Sequence, residues 1–164
     1  MGLVNAREAF QNEPGVEVVT ASAAWICLRV AADLRVKDAV VGFFRKYLAE
    51  QVSAELSEQL SVALDELLTN AIEHGGAVPG VGVTYIQTTR SVLFHLRDGG
   101  PGFSLENANH AAINNPPGHP LRHAEYRAEL GLRPGGFGIL LVKQIADELI
   151  YNETGNEALL IKYL

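Results

Sequence analysis

Residues 64–76 read L-D-E-L-L-T-N-A-I-E-H-G-G, an apolar helical repeat that carries an acid, an amide and an imidazole at four-residue steps and stops at a double glycine. At about 100° per residue, with Glu66 as zero, Asn70 lies at about +40° and Glu73 at about −20°, while Leu60, Leu64, Leu67 and Ala71 gather between about +100° and +160°. Glu66, Asn70 and Glu73 thus form a polar stripe beside the buried face, and His74, at about +80°, lies closer to the core. By itself such a stripe is equally a solvated flank, and a His near a helix C-terminus suits the dipole there. The chemistry of the residues points further. An Asn oxygen can ligate Mg²⁺, which takes few protein ligands and completes its shell with water and phosphates. A Glu one turn away can orient a hydroxyl or water as general base. Both roles require a nucleotide.

Two glycine-rich runs offer places for one. L-R-D-G-G-P-G-F at 96–103 takes an acid from a strand straight into glycines. A carboxylate there can accept a hydrogen bond from an exocyclic amine such as that of adenine, and glycines let a flat base approach the backbone. R-P-G-G-F-G-I-L-L at 133–141 places glycines before a helix, whose free N–H groups and dipole hold phosphate. Ordinary turns use the same letters. There is no G-x-x-x-x-G-K-[ST] loop, the Rossmann spacing fails at Leu105 and Leu141, and the H-R-D and D-F-G signatures of protein kinases are absent.

The flanking sequence gives the fold class. Residues 1–15 end in N-E-P-G and read as a loose arm before a single domain over 16–164. Val16 to Thr20 and Trp25 to Ala31, rich in β-branched and aromatic residues, read as strands. Asp33 caps a helix over Leu34 to Glu50, and Ser53 caps a second that runs to about Glu73, with Gly75-Gly76 as its stop. Val81 to Thr88 and Val92 to Arg97 are strands, Ile139 to about Asp147 is a third helix, and Leu149 to Asn152 with Ala158 to Tyr163 form a hairpin around T-G-N at 154–156. Residues 104–132 show no sustained period, and a loop of that length is usually a lid or binding loop. The pattern predicts an α+β fold: a mixed, mostly antiparallel sheet with helices on one face.

Three runs, in order, resemble the boxes of the GHKL (Bergerat-fold) ATPase superfamily, and within it the anti-sigma-factor serine-protein kinases of the RsbW and SpoIIAB type. The N box, E-x-x-x-N-[AG]-x-x-H-[GA], is matched from Glu66 through Asn70 and His74 to Gly75. D-x-G-x-G-[FIL] is matched by Asp98, Gly100, Gly102 and Phe103, and G-x-G-[LIF] by Gly136, Gly138 and Ile139. The resemblance covers roughly residues 23–163. It implies a two-layer Bergerat sandwich that uses ATP and Mg²⁺. Glu66 would be the general base, Asn70 the Mg²⁺ ligand, Asp98 the acceptor of the adenine amine, and His74 part of the nucleotide site. Gly100 and Gly102 would leave room for the base, Gly136 and Gly138 would hold the phosphates, and residues 104–135 would be the ATP lid, with Arg133 near the place of a phosphate-binding Arg. Many relatives also carry a Thr or Ser on a late strand near the adenine, which 157–164 lacks. The implied function is phosphorylation of a Ser on a STAS-domain antagonist in a partner-switching module, with a sigma factor or other regulatory target and a second copy of the chain as further partners. The alternative is a nucleotide-sensing binding module without turnover.

Composition agrees with a self-sufficient globular domain: 164 residues, 48% hydrophobic and 20% charged. A net charge of −6 without a basic stripe argues against a nucleic-acid binder. Cys27, the sole cysteine, allows no intrachain disulfide and reads as a small core residue. The first ten residues lack the apolar region of a signal peptide, Ala6 leaves a myristoylation signal incomplete, and no run approaches a membrane span. A cytoplasmic protein with no membrane partner is the expectation.

Overall fold

The computed structural model describes residues 5–75, 80–108, 111–131 and 135–164. Six strands form one sheet: β1 (Val16–Ala21), β2 (Trp25–Val30), β3 (Val81–Gln87), β4 (Ser91–Arg97), β5 (Glu148–Tyr151) and β6 (Glu157–Tyr163), in the order β1-β2-β3-β4-β6-β5. Every adjacent pair is antiparallel, so the sheet is not mixed. Each neighbour is reached by a hairpin or by an antiparallel return, and among the described residues no strand follows a crossover helix into parallel register.

The strands alternate as a half-covered sheet must. Ile26, Leu28 and Val30 of β2, Val83 and Tyr85 of β3, and Phe94 and Leu96 of β4 are buried, whereas Trp25 and Arg29 are exposed. The buried face is covered by α2 (Leu34–Ala49) and α3 (Ala54–His74). Both helices begin at the residues that the sequence marks as caps. The Asp33 carboxylate accepts from the Arg35 N–H at 2.9 Å, and the Ser53 hydroxyl from the Leu56 N–H at 3.3 Å. Between helices and sheet lies an aromatic cluster in which Phe44 stands edge-on to Phe94 at 5.1 Å and Tyr47 edge-on to Tyr85 at 5.5 Å.

Two segments differ from the sequence reading. The arm is not loose over its described part: α1 (Ala6–Ala9) is one helical turn, and Phe10 after it is 6% exposed, with its ring 4.9 Å from that of Phe43. One buried aromatic offsets the ordering of a short segment that has no periodicity to announce it. The segment after β4 holds a helix, α4 (Arg122–Glu129), besides two short 3₁₀ turns. Its inward anchor is His123, fully buried and edge-on to Phe137 at 4.4 Å. Asn115 fixes that ring, because its Oδ1 accepts from the His123 N–H and its Nδ2 donates to His123 Nδ1, both at 2.8 Å. A His as the anchoring side chain is invisible to a hydrophobic pattern.

Candidate nucleotide site

The polar stripe of α3 and the second glycine run meet across one cavity of about 610 Å³. Glu66, Asn70 and His74 line it from α3, and Gly136 and Gly138 from the start of α5 (Gly138–Ile145). α5 lies along α3, and its first turn has no side-chain cap, so its leading N–H groups are available to an anion. Glycine at that point leaves Glu66 its place, since an added side chain would make the Glu66 carboxyl shift. A methyl group on Gly138 would lie 3.2 Å from the Glu66 carboxyl carbon and closer still to one of its oxygens. Gly135 and Gly136 have φ of +149° and +95°, a region that favours glycine. The Gly136 carbonyl accepts from the Ala112 N–H at 2.8 Å, which ties the segment after β4 to the glycine run before α5.

Glu66 has an altered acidity. Burial raises its carboxyl above the usual value, repulsion from Asp65 and Glu73 adds to that, and Lys37 opposes it. Lys37 is itself ion-paired with Asp65, which also lines the cavity. A carboxylate held above its ordinary range is a better proton acceptor near neutral pH.

Asp98 stands apart. It lines a separate chamber of about 20 Å³ beside the cavity, and Asn70 and Phe103 line both spaces. Asp98 is set firmly: its N–H donates to the Asn156 carbonyl at 3.0 Å, and its Oδ1 accepts from the Gly100 N–H at 2.8 Å. Gly75 packs against it, since a methyl there would lie 2.6 Å from Asp98 Cβ. Gly75 has φ −78°, in the right-handed region, and its lack of a side chain permits the close approach to the Asp98 loop; Gly76 lies outside the described residues. Gly100 and Gly102 are close-packed in the same way. A methyl on Gly100 would lie 2.5 Å from the His74 carbonyl oxygen, and one on Gly102 would collide with the backbone of Thr154. Both let backbone pack on backbone.

Arg133 lies outside the described residues. A different arginine reaches the cavity wall: Arg127 of α4, whose guanidinium would lie 3.7 Å from a methyl group on Gly135. The sequence reading missed it because nothing in the irregular segment marked a helix that would turn it inward. Tyr151 of β5, which lines the Asp98 chamber, was missed too. The donor set suits a nucleotide: Asn70 Nδ2 is buried with no protein hydrogen-bond partner and lies at the junction of the two spaces. Among the described residues no helix is long and apolar enough to cross a membrane.

The family model described as the histidine kinase-like ATPase domain matches residues 30–162, well over half of the chain. No curated protein matches it significantly.

Proposed function

The chain belongs to the histidine kinase-like ATPase domain family, within the GHKL superfamily, and we propose that it is an ATP-dependent serine-protein kinase of a partner-switching module. Its acceptor is a Ser on a STAS-domain antagonist, and it binds a sigma factor or other regulatory target when that antagonist is phosphorylated. A cytoplasmic location and pairing with a second copy belong to the same reading. The observation that carries it is the Glu66 carboxylate, desolvated, in one cavity with Asn70 and against the first residue of α5. ATP lies with its phosphates over Gly136 and Gly138 and its base toward Asp98. Glu66 takes the proton of the serine hydroxyl as its oxygen attacks the γ-phosphorus. The bond to the β–γ bridging oxygen breaks, and ADP leaves with the electron pair. Arg127 on the cavity wall holds phosphate charge in place. Mg²⁺, for which Asn70 is the protein ligand, neutralises the phosphates when bound.

One observation favours the second reading, a nucleotide sensor without turnover. Glu66 already sits against the α5 start, so an arriving phosphate can displace it and reshape the surface with no chemistry. The test is Glu66→Gln with a STAS protein and labelled ATP. A kinase keeps ATP affinity within a few fold and loses about 10²–10⁴-fold in phosphotransfer. Wild type that binds a STAS protein with ATP and transfers no phosphate over hours is a sensor.

A further inference from the structure

The ring that anchors α4 is held in one protonation form. Asn115 Oδ1 accepts from the His123 N–H, and Asn115 Nδ2 donates to the Pro120 carbonyl. A backbone N–H only donates and a carbonyl only accepts, so these two bonds fix which way the Asn115 amide faces. Its Nδ2 therefore donates to His123 Nδ1 as well, at 2.8 Å. Nδ1 is bare, and the ring hydrogen sits on Nε2, which is buried with no protein hydrogen-bond partner.

A proton added to this ring lands on Nδ1, where it meets the Asn115 N–H. One hydrogen bond becomes a contact between two donors, and a charge is placed on a side chain with no exposed surface. The elements packed against the ring supply no acid to offset it: residues 111–118 and 135–142 carry no titratable side chain. On the segment of His123 itself, Arg127 one turn on has the same charge and Tyr126 is neutral near pH 7. The Glu125 carboxylate is shared by His119 and Arg122, each at 3.6 Å. His123 alone of α4 is buried, and its ring packs on Phe137, between two glycines that line the large cavity.

We propose that His123 is a proton-sensitive latch: neutral, it docks α4 on Asn115 and Phe137 and keeps Arg127 on the cavity wall; protonated, it leaves that place and takes Arg127 with it. The latch holds at high pH, where the ring is neutral, and is lost as pH falls through the range in which histidine titrates, about pH 8 to 5. His119 works the other way, since its protonation tightens the pair with Glu125. The consequence for ATP, weaker binding in acid, rests on the nucleotide reading above, and the latch itself does not.

Proton–nitrogen correlation spectra of the histidine rings and the backbone amides of the full chain test it, read from about pH 8 to about pH 5.5. The chain has five histidines, and the signal absent from His123→Phe belongs to His123. At the upper pH the expected ring is the Nε2–H form. As it protonates, the amides of 122–129 and of Phe137 shift with it. In His123→Phe, which keeps a flat ring, those amides ignore pH although His119 still titrates. Asn115→Asp turns the clamp into an acceptor, so the ring carries its hydrogen on Nδ1 and α4 stays docked on acidification. A wild-type His123 in the Nδ1–H form overturns the latch. So do amides of 122–129 that respond to pH alike in wild type and Asn115→Asp. ATP titration over the same range reads the consequence: wild type loses roughly tenfold more affinity than His123→Phe as the Arg127 charge departs. A wild type that binds no ATP overturns the nucleotide reading alone, and the spectra still decide the latch.

Discussion

Replacing Gly100 by Ala adds one methyl group at the crossing of α3 and the loop after β4. That methyl would lie 2.5 Å from the His74 carbonyl oxygen and 2.8 Å from Gly75 Cα and C. Ordinary contacts are ~3.5–4.0 Å, so the last turn of α3 and the 98–102 loop must separate by ~0.7–1.5 Å. Both sides are backbone, and no rotamer change relieves the overlap. Overpacking of this kind costs about 1–3 kcal/mol, which for a chain of this size lowers Tm by roughly 2–12 °C. The same displacement draws Gly75 away from Asp98, and a misplacement near 1 Å at a binding group costs on the order of 10²-fold in function. Gly42→Ala is the matched control. It lies inside α2, and nothing stands within 4 Å of the added methyl. There the relief of glycine's backbone entropy gains ~0.5–1 kcal/mol. Differential scanning calorimetry and ATP titration on both variants read the outcome. One substitution, Gly to Ala, is expected to destabilise at 100 and stabilise at 42. A Gly100→Ala protein as stable as wild type, with unchanged ATP affinity, refutes the close packing of α3 on the Asp98 loop.

Phe10→Ala removes a buried ring tilted against that of Phe43 and should cost about 3 kcal/mol or more in urea unfolding; no change would mean that the arm does not pack on the core. Glu66→Gln should be more stable than wild type at pH 7. The folded-state acidity of Glu66 is raised, so its charged form destabilises the fold at neutral pH, and that penalty is relieved as pH falls through the raised value. The difference should therefore shrink to nothing by about pH 4, and a difference that stays constant from pH 8 to 4 would count against a desolvated Glu66.

Most of the sheet and the two long helices are legible in the sequence because their signals are local. Alternation fixes β2, β3 and β4, and Asp33 and Ser53 mark helix starts that the structure places at the same residues. The stripe of Glu66, Asn70 and Glu73 does line one cavity, with His74 beside it, since helical periodicity alone decides which side chains share a flank. What local signals cannot show is which backbones touch. Gly75 and Gly100 read as turn formers, yet their purpose is an approach between α3 and a loop more than twenty residues later in the chain. α4 escaped notice because its anchor is a histidine, and with it went Arg127. Tyr151 lines the Asp98 chamber only because the β5–β6 hairpin brings it there, a proximity across fifty residues that no motif spacing records.

Titration calorimetry of the wild-type chain with ATP and GTP in the presence of Mg²⁺, repeated on Asp98→Asn, tests the central claim most directly. Loss of the charged acceptor at Asp98 is worth about 1.5–3 kcal/mol. The expected result is that ATP binds wild type far more tightly than GTP does, and that Asp98→Asn weakens ATP by roughly 10- to 150-fold. Equal, weak binding of both nucleotides by both proteins would contradict it.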